Sequence, residues 1–271
     1  MRIPPFVPYL TGVCLAATAL VALELHEDEQ PTTAGRPAPQ ASRTPGAPST
    51  AGTTSSAPSS TAAPDRFRTD ADLPAGPPVP LRGAGTWRVV PGGFGDTGTP
   101  YAVEVEDGVV PPRGDGPFAA VVDHALAHPR GWRAVGHAFR RVDASGAPEL
   151  RIRLASQETA RALCGFELPY DTSCRIGPIV YLSAARWLRG AHAFAGNLRG
   201  YRTYAVNHEV GHFLGRGHET CPADGALAPV MMQQTFSTAN DDLAAITVGT
   251  DQGVPIAADG RTCVPNPWPA P

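Results

Sequence analysis

The distribution of apolar positions divides the chain into three parts. Residues 6–23 form a nearly continuous apolar run, residues 26–80 contain almost no large apolar side chain, and from residue 81 apolar positions recur with the periods of strands and helices. The middle part is dominated by proline, alanine, serine, threonine and glycine, so it cannot bury enough surface to offset the entropy of ordering. The pattern predicts a membrane-directed segment at 1–25, a disordered linker at 26–80 and one folded domain at 81–271.

The folded part mixes strand and helix patterns. Alternating or clustered apolar residues predict strands at 87–90, 101–105, 138–142, 150–154 and 179–182. Apolar residues at helical spacing, bounded by start and stop signals, predict helices from 115 to just before Pro129, at 157–163, from 198 into the histidine-rich segment, and at 241–248. Asn197, a preferred N-cap residue type, precedes the third of these helices. Together the elements predict an α+β domain.

The apolar run near the N-terminus is flanked asymmetrically by charge. Arg2 precedes it and four acidic residues closely follow it, which places the N-terminus in the cytoplasm and the domain outside. With about 18 residues, the run is at the lower limit for a spanning helix and longer than a usual signal-peptide core. An uncleaved signal anchor is favoured, and a signal peptide removed near residues 17–19 is the alternative. Either way, the domain is predicted to be extracytoplasmic, membrane-anchored or secreted.

Charge and cysteine content narrow the class of protein. The formal net charge of -3 argues against a nucleic-acid-binding protein, which needs a basic face. An even set of cysteines in an exported domain indicates two disulfides. Pairing of nearest neighbours gives Cys164 with Cys174 and Cys221 with Cys263, and the other two connectivities stay open. A second zinc site is the competing interpretation, but no C-x-x-C pair supports it.

The residues with the most specific chemistry lie between His208 and His218. In a helix, His208 and His212 are i and i+4, so both imidazoles leave the same face and can share one metal ion. Gly215 is the residue type that ends a helix in the left-handed conformation, which lets the chain turn back and deliver His218 as a third ligand. Glu209 lies beside these ligands without being one of them.

This set of residues has the composition of a catalytic zinc site. Such a site supplies three protein ligands and leaves the fourth position to water. A neighbouring carboxylate such as Glu209 can take a proton from that water and return it to a leaving amine. The competing interpretation, an amphipathic core helix with two incidental histidines, leaves Gly215 and His218 unexplained. The sequence therefore predicts one Zn²⁺ per chain, held by His208, His212 and His218.

The stretch from His208 to His218 resembles the zinc-binding consensus of the metzincin metallopeptidases. That clan carries a methionine turn beneath the metal, and residues 229–232 supply one, with Met231 preferred by position and Met232 as the substitute. Residues 201–208, 221–222 and 228–231 are also similar to a little-characterised group of secreted metzincin-like proteins from high-G+C Gram-positive bacteria. The resemblance extends over roughly residues 86–268.

The resemblance implies a zincin-type fold, with a small twisted mixed sheet, a backing helix, the active-site helix and a methionine turn below the zinc. It implies hydrolysis of peptide bonds in a peptide or protein substrate, with Glu209 as general base. Strand 179–182 is the candidate for the edge that lines the cleft, or else an ordinary interior strand. Some metzincins use a tyrosine ligand two residues after the turn methionine, but here that position is Gln233. A zinc-containing cell-envelope binding module and an amidase acting on wall peptides are the alternatives, and no oligomeric state is predicted.

Overall fold

The computed structural model describes residues 69–165, 168–250 and 255–271. The predicted N-terminal segment and most of the predicted linker lie outside these residues. The segment just before residue 81 belongs to the domain, because Ala71 is fully buried and its carbonyl accepts a hydrogen bond from Arg186. The domain therefore includes residues that precede the predicted boundary at residue 81.

A twisted mixed sheet forms the centre of the domain. Among the described residues it has six strands: β1 Trp87–Val89, β2 Thr99–Glu106, β3 Phe139–Arg141, β4 Leu150–Ala155, β5 Cys174–Ile176 and β6 Ile179–Ser183. The strand order is β1-β2-β4-β6-β5, and β3 also pairs with β2. The β2, β4 and β6 strands run parallel, whereas β1 and β5 are antiparallel to their neighbours. The sheet thus ends at β5 on an antiparallel edge.

The two faces of the sheet have different chemistry. On β4, the apolar side chains at alternate positions are buried in the main core, and Arg151 and Arg153 between them project from the other face. Both guanidinium groups pair there with Glu104 of β2, which is only 2% exposed. The period-two alternation of this strand is therefore the pattern that its two environments require.

Among the described residues, five helices accompany the sheet. Their bounds are α1 Asp115–Ala127, α2 Gln157–Cys164, α3 Ala184–Arg189, α4 Leu198–Phe213 and α5 Asn240–Thr247. Short 3₁₀ turns occur at Trp132–Val135, Ala144–Gly146 and His192–Phe194. The α1 and α4 helices contact each other and share one core with β2, β4 and β6. A smaller apolar cluster, which includes Met232 and Leu243, packs the segment that follows α4.

The strands and helices predicted from the sequence are confirmed, but two short elements, β5 and α3, were not predicted. The interpretation of strand 179–182 as the cleft edge is wrong. That strand is β6, which pairs with β4 on one side and with β5 on the other, so it lies inside the sheet. The edge is β5, which a turn at Gly177 joins to β6. Three residues of mixed polarity show no apolar alternation, so the pattern could not reveal this strand.

The cysteines form the predicted nearest-neighbour disulfides. Cys164 at the end of α2 is bonded to Cys174 on β5, and Cys221 is bonded to Cys263 across a sequence separation of 42. Disulfides persist in oxidising compartments, so they indicate an extracytoplasmic location, as predicted. Within the described residues, no helix has both the length and the apolar character needed to cross a membrane.

Candidate metal centre

Helix α4 begins and ends as its sequence predicts. The Asn197 side chain caps its first turn by accepting a backbone N–H. At the other end, Gly215 has a φ of 79°, in the left-handed region. Its N–H donates to the carbonyl of His212, and the next N–H, of Arg216, donates to the carbonyl of Gly211. This pair of bonds is a Schellman motif, and it turns the chain back towards the helix.

The turn brings the three predicted histidines together. The Nε2 atom of His212 lies 3.3 Å from Nε2 of His208 and 3.1 Å from Nε2 of His218. Zinc–nitrogen bonds of about 2.0 to 2.1 Å in a tetrahedral shell place neighbouring nitrogens about 3.3 to 3.4 Å apart. The observed spacing therefore fits three ligands on one ion.

Backbone carbonyls determine which nitrogen of each ring is available. The carbonyl of Val230 lies 2.9 Å from Nδ1 of His208, and the carbonyl of Arg216 lies 2.9 Å from Nδ1 of His212. Since a carbonyl only accepts, each Nδ1 carries the proton and donates it. The lone pair of each ring is then on Nε2, which faces the other histidines.

Burial keeps two of the rings neutral. It lowers the pKa of His208 well below its usual value, and the nearby His212 and His218 add to the effect. Burial also lowers the pKa of His212 to about 4, with a further contribution from His218. Neutral imidazoles are the form that binds a metal. Three convergent imidazole nitrogens, without a sulfur ligand, suit zinc or another imidazole-binding transition metal.

Glu209 lies next to this cluster and is buried. The residue is 5% exposed, and its Oε2 atom has no hydrogen-bond partner among the described residues. Burial raises the pKa of Glu209 to about 8, and the positive charge of Arg175 opposes that rise. The structure thus places a buried carboxyl group in the same cleft as the three histidines.

Met231 lies in a tight turn under the helix. The N–H of Met232 donates to the carbonyl of Pro229, which closes the turn, and Met231 is 2% exposed. Its sulfur packs directly against Gly211: a Cβ atom on that glycine would be 2.2 Å from Sδ. Met232 points instead into the smaller apolar cluster. Of the two methionines that the sequence offered, Met231 is therefore the one beneath the histidines.

Sequence analysis missed the residues that support this arrangement. The carbonyl of Val230 comes from the methionine turn, so one turn positions both His208 and the floor of the site. Tyr204 also contacts the turn, since its hydroxyl donates to the carbonyl of Met232 at 2.8 Å. Backbone acceptors leave no signature in a sequence. Gly211, between two predicted ligands, was the one available signal for close packing at this point.

A cleft of about 530 Å³ opens in front of the histidines. Edge strand β5 and the Cys164–Cys174 disulfide line one side of the cleft, and the segment from Gln233 to Phe236 lines the other. Gln233, two residues after Met231, lines the same cleft as Glu209. The three histidines, the carboxylate and the sheet edge therefore share one open groove.

Residues 73–271 match the family described as "Protein of unknown function (DUF3152)". The chain belongs to this family. The match covers all six strands, the five helices and every residue of the candidate metal centre. No curated protein and no solved structure matches the chain.

Proposed function

We propose that this DUF3152 protein is an extracytoplasmic zinc peptidase of the metzincin type. The convergence of three Nε2 atoms beside a buried carboxyl group carries the proposal. A purely structural zinc site closes its fourth position and has no need of a proton acceptor. The buried Glu209 therefore favours catalysis over a zinc-stabilised binding module. Cleavage within residues 1–25 would release the protein as a secreted enzyme, and an uncleaved segment would anchor it to the membrane.

Each residue of the centre has a distinct part in the proposed reaction. His208, His212 and His218 hold the ion through Nε2, and the carbonyls that bind Nδ1 keep the rings oriented. Zinc bound there would polarise the scissile carbonyl and lower the pKa of a water molecule. Glu209 accepts the proton of the attacking water and passes it to the leaving amine. Met231 fills the space beneath the ligands and fixes the turn that orients His208.

The groove supports a polypeptide as the substrate. Strand β5 is at the edge of the sheet, so the outward backbone groups of its three residues have no strand partner among the described residues. An extended peptide can pair with such an edge and add one strand to the sheet. The disulfide between Cys164 and Cys174 holds this short strand in position. A peptide bound along β5 passes directly in front of the histidines.

The test is a Glu209→Gln substitution in the full chain, with zinc content and peptide cleavage measured on the same samples. We expect zinc to stay at one per chain, because Glu209 is not a ligand, and turnover to fall by about 10² to 10⁴-fold. Glu219→Gln is the matched control, since Glu219 is exposed and lies outside the lining of the cleft. Loss of zinc from the Glu209 variant would mean that its carboxylate is a ligand. Full activity in that variant would contradict the proposed mechanism.

A further inference from the structure

Arg175 is directed at the proposed catalytic groove by its strand register. It lies on β5, where its cross-strand partner is Val180 of β6. Directly paired residues project from the same face of a sheet, and Val180 is fully buried on the face that packs against α4. Arg175 therefore extends from the sheet edge towards α4. It lines the same cleft as Glu209 and His212.

The guanidinium group is the one cation among the described residues that line this cleft, where Glu209 is the one carboxyl group. Arg175 is exposed and forms no ion pair within the part of the chain that the structure describes. Its Nη1 atom donates a long hydrogen bond, 3.4 Å, to the carbonyl of Gly177. The arginines of the opposite sheet face behave differently, since Arg151 and Arg153 are both paired with Glu104.

The guanidinium group of Arg175 is suited to bind a carboxylate. A guanidinium group presents its N–H donors in a planar fork that matches the two oxygens of a carboxylate. The disulfide between Cys164 and Cys174 restrains the backbone of β5 next to Arg175, so the position of the guanidinium group is restricted.

We propose that Arg175 selects substrates with a carboxylate close to the scissile bond. This inference rests on the proposed peptidase function and names its substrate class. The carboxylate comes either from an acidic side chain or from the free C-terminus of the substrate. In both cases, it binds the cation at the β5 edge while the peptide bond faces the histidines.

The experiment uses the full zinc-loaded chain and short, internally quenched, alanine-rich peptides. The peptides form pairs that differ only by Glu or Gln at each position around the scissile bond. Each pair is made with a free and with an amidated C-terminus, so that the two sources of the carboxylate are separated. We expect kcat/KM to be at least about tenfold higher for the peptide with the carboxylate. A tenfold difference corresponds to the lower end of the usual contribution of a hydrogen bond to a charged group.

Substitutions of Arg175 then test whether this residue causes the preference. In Arg175→Gln, kcat/KM is expected to become about equal for the two members of each pair, Glu against Gln peptide or free against amidated C-terminus. Arg175→Glu is expected to reverse the preference towards a lysine-containing peptide. Arg133→Gln is the matched control, because Arg133 is exposed on a 3₁₀ turn outside the cleft lining, and its ratio should equal that of the wild type.

Failure of the inference and failure of the proposed function give different results. Chelator-sensitive cleavage without any carboxylate preference, or a preference that survives Arg175→Gln, overturns the inference alone. Absence of cleavage of every peptide overturns the proposed function. Binding of fluorescently labelled Glu and Gln peptides to the zinc-loaded Glu209→Gln chain then decides the inference separately. Tighter binding of the Glu peptide that is lost on adding Arg175→Gln supports it, and equal binding overturns it.

Discussion

The packing of the methionine turn against α4 predicts the effect of one methyl group. In Gly211→Ala, the new Cβ atom would lie 2.2 Å from Sδ of Met231 and 2.8 Å from Cζ2 of Trp132. The end of the methionine can move, but Trp132 is 3% exposed and its Nε1 donates to the carbonyl of Asn207 at 2.9 Å. The substitution must therefore displace the turn or strain the helix.

Two opposing terms set the size of the effect. Replacing glycine by alanine inside a helix stabilises it by about 1 kcal/mol, whereas overpacking of a dense core costs about 1 to 3 kcal/mol. Collision with two buried side chains places Gly211→Ala near the upper end of that range, so the net loss is about 1 to 2 kcal/mol. For a domain of this size, the Tm should fall by about 2 to 8 °C. Displacement of the turn also moves the Val230 carbonyl away from His208, and zinc affinity should fall at least about tenfold.

Thermal unfolding and zinc titration of the full chain measure both effects. The matched control is Gly217→Ala, since a Cβ atom there meets nothing within 4 Å and the residue does not need a positive φ. This control should retain the Tm and the zinc affinity of the wild type. If Gly211→Ala raised the Tm and left zinc affinity unchanged, Met231 would not be packed against the helix as described.

Two further predictions concern the stability of the domain. Replacing Cys221 and Cys263 by serine opens a loop with a sequence separation of 42, so the free energy of unfolding should fall by about 4 kcal/mol. Opening the shorter disulfide, with a separation of 10, should cost about 3 kcal/mol, and equal or reversed losses in thermal unfolding would refute the ranking. Partial desolvation of the exposed His124 ring lowers its pKa, with the charges of His128 and Arg199 adding to the effect. The folded state therefore resists protonation, and stability should be lost as pH falls below the usual histidine value of about 6.5. His124→Gln should weaken that loss in the metal-free chain, and an unchanged pH profile of the Tm would contradict the assignment.

Local spacing made the candidate metal centre predictable from the sequence. The i and i+4 positions of His208 and His212 depend on helix geometry alone, and Gly215 is a residue type with one common role at a helix end. The distances between the ring nitrogens then follow from elements that the sequence specifies within a few residues. The partners of each Nδ1 could not be predicted, because Arg216 and Val230 contribute backbone carbonyls, which every residue type possesses.

The sheet edge was harder to predict than the helix. Strand β6 is short and apolar, a pattern that fits an edge or an interior position equally well, and only pairing with a partner distinguishes them. That partner, β5, has three residues and owes its place to the turn at Gly177 and to the bond between Cys164 and Cys174. Both are tertiary constraints. Arg175 was consequently not recognised as a cleft residue, although it lies beside the predicted ligands in space.

The most direct test of the account is cleavage of an unbiased peptide library by the full chain, before and after removal of metal with a chelator. The account predicts one zinc per chain, cleavage that stops on chelation and returns on addition of zinc, and products that identify a defined scissile position. Zinc bound to His208, His212 and His218 with no cleavage of any peptide would contradict the peptidase assignment and favour a binding module or a non-peptide amide substrate. A chain that binds no zinc would refute the account at its first step.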